Sequence, residues 1–109
     1  MRRFFFVILF GVLLINQANS EEGVASIYGT EHGQSRRADG KAYHPYSIGC
    51  AHKTRPLGSV VRVTVIATGR SISCVINDHG PYVRGRIIDL SLGAARALGI
   101  KGLARVRIN

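Results

Sequence analysis

The sequence lacks tryptophan and has few cysteines, few prolines and few acidic residues. It has 109 residues, with two cysteines, three prolines, and six Asp and Glu against 15 Lys and Arg. No internal repeat or low-complexity tract occurs, so neither a repeat architecture nor a second domain is expected. The basic residues are scattered and no nucleic-acid-binding motif is present, so we expect no nucleic-acid partner.

No apolar run is long enough for a typical membrane span. The longest covers residues 4–15, well short of the roughly 18 residues that a spanning helix needs. Two arginines precede it, and a small-x-small pattern of signal peptidase sites ends at Ser20. We therefore expect a signal peptide over residues 1–20 and one exported domain over residues 21–109, periplasmic or secreted, without lipid anchor or stable membrane insertion. The alternative is an uncleaved N-terminal anchor.

The excess of positive charge points to an anionic partner. The net charge is +9, and it remains +7 when the two arginines of the signal peptide are removed. A cell-wall polymer, an acidic glycan or a membrane surface would suit such a protein. The alternative is a soluble surface that happens to be positive.

The two cysteines, Cys50 and Cys74, both lie in the exported part. An even count in an exported protein favours a disulfide, which would stabilise so small a domain by about 3 kcal/mol. A buried thiol pair and a metal site are the alternatives, and the absence of CxxC spacing counts against the metal.

Short β-branched runs between turn residues predict an all-β chain with one short helix. Residues 59–66 and 70–77 form the strongest pair, joined by a turn at Gly69. A helix over residues 92–98 is predicted between an N-cap at Ser91 and a stop at Gly99, with a buried stripe at Leu92, Ala95 and Leu98. Further strands are predicted over residues 23–29, 87–90 and 103–108. So many short strands suggest a small closed barrel.

Asp78 ends the apolar strand and precedes His79, Gly80 and Pro81. A strand end followed by a rigid turn can present a polar group to solvent. An aspartate there can equally well bond its own backbone and cap the turn. The residues alone leave both interpretations open.

Six blocks in order carry a family resemblance. They are ASIYG (25–29), AHKTRPLG (51–58), VRVT (61–64), GRS (69–71), NDHGP (77–81) and GRIIDLS (85–91). Together they resemble the rare lipoprotein A family of septal-ring lytic transglycosylases, across essentially all of residues 21–109. The resemblance implies a six-stranded double-psi β-barrel, a fold shared with expansins. It also implies endolytic cleavage of peptidoglycan glycan strands poor in stem peptides, leaving 1,6-anhydro sugar ends, without cofactor or metal.

The resemblance also assigns site residues. The family's essential acid falls on Asp78 and its important histidine on His52. Lys41 stands where members often carry glutamate, Ile27 where they have tryptophan, and His79 where they have arginine.

One acid is enough for this chemistry, because the substrate supplies its own nucleophile. A carboxyl group protonates the leaving oxygen and then takes a proton from the C6 hydroxyl of the same sugar, so no water is activated. We expect His52 beside Asp78, hydrogen-bonded to it or to substrate, although a histidine alone is more often structural. The candidate substrate-binding residues are Tyr28, Lys41, His79 and Arg86. Each of these residues could instead have no contact with substrate and lie in the core, in an exposed turn or on the solvated surface.

A different class of function is kept as the alternative. Replacement of the family's glutamate by Lys41 favours a non-catalytic, expansin-like module that binds cell-wall glycan without cutting it. A basic inhibitor or antimicrobial protein would rest on charge alone. Whether the protein cleaves glycan or only binds it, the expected partner is the peptidoglycan strand, and we expect a monomer.

Overall fold

The structure, a computed structural model, describes residues 20–28, 38, 40, 44 and 46–109. The predicted signal peptide (apart from Ser20) and Lys41 lie outside the described residues. Within them are β1 (Glu21–Ile27), β2 (Gly49–Ala51), β3 (Val60–Val65), β4 (Ser71–Asp78), β5 (Arg86–Leu90), α1 (Leu92–Leu98) and β6 (Ala104–Ile108). No helix in this part of the chain is long and apolar enough to cross a membrane.

The six strands close into a barrel in the order β1-β5-β2-β4-β3-β6. The pairs β1–β5 and β2–β4 are parallel, and the other four pairs are antiparallel. This confirms the prediction of a small six-stranded barrel with one short helix. Because the ring is closed, each of the six described strands has a neighbour on both sides.

The β3–β4 hairpin forms one wall of the barrel, and its residues explain why. Val61 pairs with Cys74 and Val63 with Ile72, so the apolar side chains of alternating positions face the same interior. Val61, Val63 and Cys74 are almost fully buried, whereas Ile72 is partly buried against the core. At about 25 cal/mol per Å² of apolar area, such burial is the main stabilising contribution to a domain of this size.

Helix α1 begins and ends where the sequence predicts. The Ser91 hydroxyl accepts a hydrogen bond from the Ala94 N–H, and Gly99 closes the helix in the left-handed conformation with φ 73°. The predicted buried stripe is partly wrong. Ala94, rather than Leu92, joins Ala95 and Leu98 in the interior, because the helix lies on the barrel along that face.

The shortest strand, β2, was not predicted. Its three residues are buried, and it lies between β4, to which it is parallel, and β5, to which it is antiparallel. Cys50 of β2 forms a disulfide with Cys74 of β4, with the two Cα atoms 6.0 Å apart. The predicted pairing is therefore confirmed, and the crosslink joins β2 to its parallel neighbour β4.

Candidate functional site

A change of register turns Asp78 out of the barrel. Gly49 pairs with Val75 and Cys50 with Ile76, but Ala51 pairs with Asp78, so Asn77 is an extra residue in β4. Strand side chains alternate between faces, so in a regular strand Asp78 would follow Ile76 into the core. The bulge reverses the alternation and directs Asp78 to the same face as Ala51.

Four neighbouring strands then carry a transverse row of small and acidic residues. Ala51 of β2 pairs with Asp78 on one side and with Asp89 of β5 on the other, and Asp89 pairs with Ser26 of β1. Two strand spacings separate the acids, which places their Cα atoms about 10 Å apart. A cleft runs over this row. It is lined by Tyr28, His44, Ser47, Gly49, Cys50, Ala51, Asn77, Asp78, Asp89 and Ser91.

The Asp78 carboxylate both bonds the backbone of its own turn and presents an oxygen to the cleft. Its Oδ1 accepts the backbone N–H of His79 at 2.9 Å, which is a turn contact, and that of Ala38 at 3.1 Å. The other oxygen, Oδ2, has no hydrogen-bond partner among the described residues. The carboxylate is therefore oriented by two amides at one oxygen, and its second oxygen is left for another partner in the cleft.

The side chain of His52 makes no hydrogen bond to Asp78. Its Nδ1 accepts the backbone N–H groups of Thr54 at 3.1 Å and Arg55 at 3.0 Å. Since Nδ1 accepts twice it carries no proton, so Nε2 is protonated and donates to the Glu21 carboxylate at 3.1 Å. The ring is buried, with 5% of its side chain exposed. Of the two partners expected for His52, Asp78 or substrate, the ring does not bond the first. The link is instead between the His52 N–H and the Asp78 carbonyl oxygen, at 3.2 Å.

The Glu21 carboxylate bonds both His52 and Arg55. Its Oε1, which accepts from His52 Nε2, also accepts a hydrogen bond from Arg55 Nη2 at 3.3 Å. The ion pair is partly exposed, since 42% of the Glu21 side chain reaches solvent. The pair joins the start of β1 to the segment that follows His52.

The other predicted site residues are divided between cleft and surface. Tyr28 lines the cleft, and its backbone N–H donates to the carbonyl of Leu90 at 2.6 Å. His79 is exposed and Arg86 is half-buried at the start of β5, and neither lines the cleft. Lys41 lies outside the described residues.

Asp89 and Asn77 are among the cleft residues for which the sequence predicted no site role. Asp89 accepts the Ser26 hydroxyl at 2.9 Å and faces Asp78 across Ala51. The Asn77 amide lies against Gly49, where a side chain would collide with it. The signal for Asp89 was its position, because it follows two isoleucines in a strand just as Asp78 follows its own apolar run.

Comparison with known proteins assigns the chain to a family. The family model described as lytic transglycolase matches residues 20–109. Two curated relatives are named endolytic peptidoglycan transglycosylase RlpA. The protein from Pseudomonas aeruginosa (strain UCBPP-PA14) is 48% identical over 89 residues, which are 79% of this chain and 26% of that protein. The protein from Escherichia coli (strain K12) is 42% identical over 90 residues, which are 83% and 25% of the two chains. The chain thus spans about a quarter of the length of these relatives.

Two solved structures share the fold at low sequence identity. The apo expansin of Clavibacter michiganensis has a TM-score of 0.63 and 20% identity, over 83% of this chain and 49% of that one. A Streptomyces papain inhibitor has a TM-score of 0.57 and 22% identity, over 84% and 96%. Both are double-psi barrels, which confirms the predicted fold. With the family match over residues 20–109, these findings show that the chain belongs to the lytic transglycolase family, as an RlpA-like double-psi β-barrel.

Proposed function

We propose that the protein is an endolytic lytic transglycosylase that cleaves peptidoglycan glycan strands poor in stem peptides, with Asp78 as its acid and base. The observation that carries the proposal is the direction and hydrogen bonding of the Asp78 side chain. A bulge directs it into the cleft, two backbone amides orient one oxygen, and the second oxygen has no partner among the described residues. The names of the relatives, which describe peptidoglycan transglycosylases, support the substrate.

The reaction needs only this one acid. The protonated Asp78 carboxyl gives its proton to the O4 atom of the leaving sugar as the C1–O4 bond breaks, and an oxocarbenium-like centre forms at C1. The carboxylate then takes the proton of the C6 hydroxyl, and O6 bonds to C1. The products are a free 4-hydroxyl on one strand and a 1,6-anhydro end on the other. The acid is regenerated and no water is consumed.

Two further residues have supporting roles in this proposal. Asp89 lies on the opposite side of Ala51, where a negative charge would favour the developing positive charge at C1. His52 acts through the backbone, because its ring bonds orient the segment of residues 52–55 while its N–H holds the end of β4.

The substrate lies outside the cytoplasm, so the proposal includes export. A signal peptide over residues 1–20 would deliver the domain of residues 21–109 to the periplasm or the medium. The disulfide between Cys50 and Cys74 agrees with an oxidising compartment.

Product analysis tests the proposal. The protein, exported from a bacterial host and purified, is incubated with peptide-free glycan strands, and the products are examined by mass spectrometry. We expect 1,6-anhydro ends that disappear in Asp78→Asn. Glu22→Gln is the matched control, since it makes the same change in an exposed acid that pairs with Arg107 on the outer surface.

The alternative function has a distinct result in the same assay. Replacement of the family's glutamate by Lys41 favours a glycan-binding module without turnover. Strands that bind the protein and acquire no new ends, at any pH tested, would establish that alternative and refute the enzyme. Hydrolytic ends, with water added at C1, would refute the one-acid mechanism while leaving glycan cleavage in place.

A further inference from the structure

An exposed tyrosine and an arginine form a stacked pair beside the cleft. The guanidinium of Arg96, on α1, lies 5.0 Å from the centroid of the Tyr46 ring. Tyr46 is nevertheless 68% exposed, so the guanidinium covers one region of the ring and leaves most of it in solvent. Single exposed aromatic residues are common and need no explanation. The surroundings of this one distinguish it.

The backbone beneath the Tyr46 ring is fixed to the helix. The carbonyl of Ser47 accepts the Ser91 hydroxyl at 2.6 Å, and the Ser47 N–H donates to the backbone carbonyl of His44 at 3.1 Å. The carbonyl of Tyr46 lies against Gly93, where any side chain would collide with it. The fold therefore presents the ring from an anchored turn, which lowers the entropy lost when a ligand stacks on it.

The pair also lies at the rim of the site. His44 and Ser47, on either side of Tyr46 in the chain, both line the cleft that contains Asp78. A polymer that leaves the cleft past these residues would meet the tyrosine next. Arg96 has no acidic partner among the described residues, so its charge is not already neutralised there.

We infer that Tyr46 and Arg96 form a subsite for an anionic sugar next to the point of cleavage. The Tyr46 ring would stack on the apolar C–H face of a pyranose, and Arg96 would pair with a carboxylate on the same sugar. Peptide-free N-acetylmuramic acid has both groups, because removal of the stem peptide leaves its lactyl substituent as a free carboxylate. The inference rests on the proposed function, and it supplies a physical reason for the preference for peptide-poor strands.

The test measures binding rather than cleavage, in the Asp78→Asn background so that the strands stay intact. End-labelled peptide-free glycan strands are used in two forms, with free lactyl carboxylates or with these converted to neutral methylamides. We expect the carboxylate form to bind roughly fivefold more tightly, as for an exposed charge-assisted contact of about 1 kcal/mol. Added Arg96→Gln should remove this preference. Added Tyr46→Ala should weaken both forms about fivefold, whereas Tyr46→Phe should retain binding.

Arg105→Gln is the matched control for loss of charge. Arg105 is exposed on β6, which lies three strands from β2 in either direction around the ring. If Arg105→Gln lowers the preference as much as Arg96→Gln, or if Arg96→Gln leaves it unchanged, the subsite is refuted. Loss of the preference with Arg96→Gln but not with Arg105→Gln supports the subsite. This result is independent of whether the wild-type protein produces anhydro ends, so the enzyme proposal can fail while the subsite stands.

Discussion

Substitution of His52 distinguishes a residue that positions the site from one that transfers protons. His52→Ala removes three hydrogen bonds, two at Nδ1 from backbone amides and one from Nε2 to Glu21. At about 1 kcal/mol for each bond, the free energy of unfolding should fall by about 3 kcal/mol. For a domain of this size the melting temperature should fall by roughly 12–24 °C.

His52→Asn separates the two roles, because it restores only part of the ring's bonding. The asparagine carbonyl oxygen can occupy the position of Nδ1 and accept both amides, but the side chain is too short to reach Glu21. This variant should therefore recover about 2 of the 3 kcal/mol. If His52 only positions the segment that follows it, the rate of anhydro-end formation should recover with stability.

Thermal and denaturant unfolding, combined with product formation well below the melting temperature, measure both quantities. His79→Asn is the control, since it makes the same change in an exposed histidine outside the cleft. Proton transfer by a side chain contributes about 100-fold or more to a rate. A stable His52→Asn protein that cleaves about 100-fold more slowly than the wild type would therefore contradict the positioning role.

Three further substitutions test the scaffold around the cleft. Replacing Cys50 and Cys74 together by alanine opens a loop with a sequence separation of 24, and denaturant unfolding should show a loss of about 3.5 kcal/mol. Gly93→Ala places a methyl group against the backbone of the preceding loop, so the melting temperature should fall by an amount equivalent to about 1–3 kcal/mol, whereas Gly102→Ala has open space and should change little. Ser91→Ala removes one hydroxyl that makes three hydrogen bonds, and should cost about 2 kcal/mol in the same unfolding assay.

The strands and the helix were predictable wherever local chemistry decides the structure. The β3–β4 hairpin alternates visibly between apolar and polar residues, and α1 has both a serine cap and a glycine stop. Strand β2 has neither signal. Its three residues are all buried, because it lies between two other strands with α1 over the same region, so no alternation is left to read.

The location of Asp78 was partly predictable, but its direction was not. A strand end and a Gly-Pro turn mark the position locally, and only the family resemblance assigned it a role. Its direction depends on the bulge at Asn77, which exists only in the pairing of β4 with β2 and leaves no periodic trace in either strand. The partner of the His52 ring was not predictable for a similar reason. Its partner Glu21 lies 31 residues away in the chain and meets it only when the barrel closes.

The disulfide adjoins this bulge, which gives it a second role besides stability. A slip of one residue between two strands moves every side chain to the opposite face. Cys50 and Cys74 join β2 to β4 within four residues of Asp78. Beside the same crosslink, the side-chain amide of Asn77 occupies the space next to Gly49. A register without the extra residue would return the acid to the core, where an unpaired carboxylate is costly. The crosslink therefore opposes the slip that would remove Asp78 from the cleft, so the covalent bond that stabilises the small barrel also maintains the direction of its candidate acid.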